Sequence, residues 1–88
     1  MKVQVNKRFL EDLAKLTVTD RQKIENFVFA ESEQIESIES AGVFEKLKGY
    51  SSYYRIRFGN YRVGVRYFEG IMIFERVLHR KEIYRYFP

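Results

Sequence analysis

The sequence predicts an α+β domain: an N-terminal strand and two helices packed on one face of a small, mostly antiparallel, four-stranded sheet. Three observations predict it. Residues 53 to 67, YYRIRFGNYRVGVRY, read as two alternating strands joined by Gly59-Asn60, a pair that suits a two-residue type II′ turn. Apolar residues recur at helical spacing at Phe9, Leu10, Leu13 and Leu16, and again at Ile24, Phe27 and Val28. An alternating run, KVQV, precedes both stripes.

Taken in order, residues 2–5 form a short first strand, and Asn6 caps a helix running through Leu16. The pattern Thr19-Asp20-Arg21-Gln22 opens a second helix with a capping box. Its buried face is Ile24, Phe27 and Val28, continued by Ile35 and Ile38, and Gly42 stops it. Glu25, Glu33, Glu36 and Glu39 form its acidic outer face. The linker VFEKLKGY leads into the hairpin. Its turn sets Phe58 opposite Tyr61, Ile56 opposite Val63 and Tyr54 opposite Val65 on the apolar face. The other face pairs Tyr53 with Arg66, Arg55 with Gly64 and Arg57 with Arg62. A third strand, Ile71 to Leu78, follows a Glu69-Gly70 turn. In simple register it puts Met72, Phe74 and Leu78 on the core face, but Arg76 with them, and leaves Val77 outside and Glu75 opposite Gly64. Either a bulge shifts that register or Arg76 reaches past the sheet edge. The ending HRKEIYRYFP is a short helical turn or an extended tail.

Eighty-eight residues make one domain, residues 1–88. With no cysteine, disulfides, thiolate zinc sites and cysteine nucleophiles are excluded, which fits a reducing cytoplasm. No long uncharged apolar run is present, so neither a signal peptide nor a membrane span is expected. Charge is unevenly placed. Residues 1–45 carry six Lys and Arg against nine Asp and Glu, a net −3, and residues 46–88 carry ten against three, a net +7. A basic, tyrosine-rich half points to a localised polyanion-binding surface; the bland reading is a solvated charged surface.

Four arginines on one hairpin face need a reason, because like charges across an antiparallel pair destabilise it. Arg55, Arg57, Arg62 and Arg66, flanked by Lys46, Lys48, Arg80 and Lys81, suit phosphates, and interleaved Tyr rings can stack on unpaired bases. An acidic protein segment suits the same surface. For RNA cleavage the arginines can stabilise a phosphorane. His79, the only histidine, Tyr84, Tyr86 or a lysine of lowered pKa are the candidates for proton transfer. A lone His at a strand end is more often a surface residue than a catalyst, and Tyr84, Tyr86 and Phe87 also read as packing aromatics. No acidic cluster accompanies the basic face, so a two-metal site is not expected; the reading requires neither metal nor cofactor.

The segments EKLKGYSSYYRIRFGNYRVGVRY and RVLHRKEIYRYFP resemble the RelE branch of the RelE/ParE toxin superfamily, and the resemblance covers essentially the whole chain. It implies the prokaryotic, cytoplasmic toxin of a type II toxin–antitoxin pair, an endoribonuclease that cuts mRNA. In the best-known members this happens in the ribosomal A site, and a cognate antitoxin blocks the active face. By position, the resemblance assigns phosphate binding, transition-state stabilisation and proton transfer to Arg55, Arg57, Arg62, Arg80 and Tyr84. Two departures raise the claim of His79: arginine stands at 55 and 57 where some relatives have lysine, and the Arg80–Tyr84 spacing is short. The rivals are a ParE-like inhibitor of DNA gyrase, which shares the fold, and a non-catalytic binding module.

Overall fold

The computed structural model describes all 88 residues. Strand β1 (Lys2–Val5) leads into helix α1 (Lys7–Ala14), where the Asn6 side chain accepts from the Phe9 amide at 2.9 Å. This cap satisfies one of the amides a helix start leaves without a partner. Helix α2 (Val18–Asn26) starts two residues earlier than its sequence pattern implies. Thr17, not Thr19, is the cap, and its hydroxyl oxygen accepts from the Asp20 amide at 3.4 Å.

That helix does not run on to Gly42. It passes into a π-helical turn over Phe27–Glu31 and a 3-10 turn over Ser32–Gln34, and Ile35 is extended. The buried Ser32 hydroxyl donates to the Val28 carbonyl at 2.6 Å, a back-bond of the kind that bends helices. Ser37 and Ser40 then form their own capping box for a separate helix, α3 (Ile38–Ala41), closed by Gly42 at φ 72°. The fragments still deliver Ile24, Val28 and Ile38 to the core. Leu10, expected in the α1 stripe, is exposed, and Asp12 is buried.

The sheet has five strands rather than four. The fifth is β2 (Glu45–Lys46), two residues inside the supposed linker and too short for alternation to reveal it. With β3 (Tyr53–Phe58), β4 (Tyr61–Phe68) and β5 (Ile71–His79) the order is β1-β5-β4-β3-β2, with β1 parallel to β5 and every other pair antiparallel. The β3–β4 register is the one the Gly59-Asn60 turn dictates. The β4–β5 register is not the simple one. A bulge between Gly64 and Val65 leaves Glu75 as the extra residue, so Gly64 faces Arg76 and Val63 faces Val77. Val77 therefore enters the core and Leu78 turns to the opposite face, the reverse of the simple expectation.

Asp12 explains the bulge. Beyond Phe74, β1 no longer covers the edge of β5, and the Asp12 carboxylate takes its place. It accepts from the Val77 amide at 3.1 Å and from the Arg76 guanidinium at 2.7 and 3.1 Å. The bulge and the edge-crossing arginine thus occur together.

The main core joins Phe9, Leu13, Ile24, Val28 and Ile38 to Ile56, Val63, Val65, Met72, Phe74 and Val77. Each such side chain, fully buried, contributes about 1.5–3 kcal/mol. A smaller cluster lies on the other sheet face, where Leu47, Ile83 and Phe87 pack with Tyr53 and Leu78. The C-terminal segment, ordered as a helical turn α4 (Ile83–Tyr86), therefore covers part of the face expected to be open. No helix is long and apolar enough to cross a membrane.

Candidate functional site

Alternation along β3 sends Arg55 and Arg57 to the face opposite the main core, and the β2–β3 register sets Glu45 against Arg55. One oxygen of Glu45 accepts from both guanidiniums, from Arg57 Nε at 2.7 Å and from Arg55 Nε at 3.1 Å. The hydrogen bond from Arg57, joined by Arg55, holds the Glu45 carboxyl below the usual carboxylate range, although burial opposes them. This carboxylate relieves part of the repulsion that the arginine face would otherwise carry.

Arg55 also donates to the Tyr84 hydroxyl, and its guanidinium lies 5.6 Å from the centre of the Tyr84 ring. Burial disfavours the Arg55 charge, but Tyr84 and Glu45 outweigh it and keep the group firmly cationic. Tyr84 reaches Arg55 because its neighbours are anchored. Ile83 is fully buried, and the Phe87 ring sits directly on Gly64. The Tyr53 ring meets Phe87 edge-on at 5.5 Å. A shallow cavity of about 340 Å³ opens beside Arg55 and Tyr84, with Lys48 and Tyr50 on its wall.

Arg62 faces Arg57 across the hairpin and has no carboxylate partner. Its Nη1 donates to the Gly59 carbonyl at 2.8 Å and the Tyr61 carbonyl at 2.9 Å, which fixes the side chain against the turn. Arg80 joins that end of the molecule: its amide donates to the Asn60 carbonyl at 2.7 Å, and its side chain, like that of Lys81, is exposed.

The remaining candidates are dispersed. Arg66 lies at the far end of the same face, over the Phe68 ring at 4.8 Å. Lys46 pairs with Tyr54 and so sits on the other side of the sheet from Glu45. His79 pairs with Tyr61, their rings 5.6 Å apart, and lines a cavity of about 330 Å³ between α1 and the C-terminal segment with Asp12, Arg76 and Tyr86. Its Nδ1 accepts from the Lys81 amide at 3.2 Å. The pleat therefore separates His79 from Arg55, Arg57 and Tyr84, and of the proton-transfer candidates His79, Tyr84 and Tyr86 it is Tyr84 that bonds to the arginine cluster. Sequence reasoning missed Glu45 and the Gly64–Phe87 seat. The only signal for Glu45 was its alternation with Leu47. No three His, Asp or Glu side chains converge.

A family model described as the ParE toxin of a type II toxin–antitoxin system matches residues 3–84. The chain is 43% identical over 89 residues to Toxin RelE3 of Methanocaldococcus jannaschii, spanning the whole of both. It belongs to the RelE/ParE toxin superfamily. The toxin superposes on a RelB–RelE antitoxin–toxin complex from Methanococcus jannaschii with a TM-score of 0.79 at 40% identity, covering 97% of this chain and 99% of that one. A RelBE2 toxin–antitoxin complex from Mycobacterium tuberculosis has the same fold, with a TM-score of 0.70 at 23% identity, covering 90% of this chain and 96% of that one. This chain is thus a RelE-type toxin of a type II toxin–antitoxin system, built on the five-stranded sheet described above.

Proposed function

We propose that the toxin is an endoribonuclease that cuts mRNA by attack of a 2′-hydroxyl on the adjacent phosphate, without a metal ion, and that it acts on the ribosome. The observation that carries this reading is the convergence of Arg55, Arg57 and Tyr84 on one sheet face, with Arg62 fixed beside them. A scissile phosphate gains charge as the phosphorane forms, and preorganised guanidiniums stabilise that charge more than the ground state. Arg62 keeps donors free while two carbonyls restrain it, so little reorganisation is needed at the moment of reaction. Tyr84, hydrogen-bonded to Arg55, is the proton-transfer group; a positioned acid or base of this kind contributes about 10²–10⁴-fold. Arg80, Lys81, Lys48 and Arg66 extend the positive surface along which the RNA backbone runs.

A cognate antitoxin is the partner that would neutralise this face. Two relatives were solved with their antitoxins, and a surface so rich in cations suits an acidic or amphipathic segment that folds on binding. The match to a ParE toxin model favours a second reading, inhibition of DNA gyrase. The products separate the two. Attack by the 2′-hydroxyl leaves a 2′,3′-cyclic phosphate and a 5′-hydroxyl on mRNA recovered from programmed ribosomes. Intact mRNA together with gyrase-dependent DNA breaks would overturn the ribonuclease reading.

A further inference from the structure

Glu45 is the one carboxylate that touches the arginine cluster. A single one of its oxygens receives both Nε–H donors, so the two guanidiniums are aimed at one point before any RNA arrives. That point has the character of a phosphoryl oxygen site: two charge-assisted donors from planar forks that suit phosphate as well as carboxylate. The Glu45 side chain is 43% exposed, and it stands on a two-residue strand at the edge of the sheet. Its bond to Arg57 is exposed and that to Arg55 part-buried, and exposed ion pairs are individually weak. A polyanion that releases counterions as it binds is a strong competitor for such a pair.

We propose that the Glu45 carboxylate occupies the seat of an RNA phosphate between Arg55 and Arg57 and swings out when RNA binds. This inference rests on the ribonuclease reading and assigns that site one phosphate position. Glu45 is then a positioning residue. It holds two like-charged forks in a common orientation in the free toxin and yields them to the substrate. Because the Nη1 of Arg55 meets the Tyr84 hydroxyl while its Nε meets Glu45, a phosphate in this seat lies one guanidinium away from the phenol. The lowered Glu45 carboxyl keeps the seat filled by an anion throughout the neutral range.

The test compares wild type with Glu45→Gln and Glu45→Asp. Binding of a 2′-deoxy-substituted RNA oligonucleotide, which cannot be cut, is measured over a salt series, and KM and kcat are measured on programmed ribosomes. Glu45→Gln is expected to bind about tenfold tighter at low salt. Its log–log salt slope should be steeper by about 0.7, the value of one further phosphate contact on a single strand. Its KM should fall by more than its kcat changes, and Glu45→Asp, which keeps the charge, should stay near wild type. Unchanged or weaker binding by Glu45→Gln overturns the proposal. So does a kcat loss of about 10²-fold at unchanged KM, which would make Glu45 the proton acceptor. If the wild-type toxin cuts no mRNA yet Glu45→Gln still binds RNA more tightly, the phosphate seat stands and the ribonuclease reading falls.

Discussion

Gly64 has no side chain because the Phe87 ring fills that space. A Cβ at position 64 would lie 2.7 Å from Phe87 Cγ and Cδ1, closer than packed carbons tolerate. The ring that would have to give way belongs to the segment that carries Tyr84. Gly64→Ala is therefore expected to lift the tail and release Tyr84 from Arg55 while the main core on the opposite face persists. Cleavage should fall by on the order of 10-fold or more, with the far-ultraviolet circular dichroism unchanged; wild-type cleavage would show that Tyr84 needs no such anchor. At this scale the arginines were legible in the sequence, because a two-residue turn fixes which residues of β3 and β4 share a face. Glu45 and Phe87 were not. Each acts through a partner remote in the chain, and neither a two-residue strand nor a single tail aromatic has a period to read.

The bulged β5 edge depends on one carboxylate. Asp12 is 6% exposed and serves both the Val77 amide and the Arg76 guanidinium, so Asp12→Ala strands a largely buried cation. Breaking a buried pair in this way costs about 3 kcal/mol, which urea unfolding should register as a lower midpoint; an unchanged midpoint would mean the edge finds another partner. Glu75, the residue the bulge inserts, behaves oppositely. Burial raises its carboxyl above the ordinary value, and Arg66 only partly offsets this. With the folded-state value the higher one, the stability this group contributes is full below about 4.5, its ordinary value, and is lost as pH rises through the folded value. An ionised Glu75 therefore costs stability at neutral pH. Glu75→Gln should melt above wild type near pH 7 and level with it near pH 4; a constant difference across that range would contradict this. The sequence showed that Arg76 did not fit the simple register, but the cause sits 64 residues away in α1, beyond any local pattern. The break after α2 was hidden for a related reason: its apolar stripe continues through the irregular turns, so spacing alone reads one long helix.

Over the whole molecule, an acidic helical layer and a basic sheet face divide the charge. The α+β class followed from alternation and helical spacing, while the fifth strand and the tail folded onto the arginine face emerged only from long-range packing. What the molecule gains is a cationic surface whose arginines are held by neighbours, namely Glu45 for Arg55 and Arg57 and the turn carbonyls for Arg62. If that surface cleaves RNA, a donor fixed by turn carbonyls and free of any carboxylate should matter to the rate rather than to the fold. The most direct measurement is the single-turnover rate of mRNA cleavage on programmed ribosomes by wild-type toxin and by Arg62→Ala at saturating toxin. The variant should fold normally and cut on the order of 10²-fold more slowly, as the loss of one transition-state donor does. A folded Arg62→Ala protein that cuts at the wild-type rate would contradict the assignment of this face to catalysis.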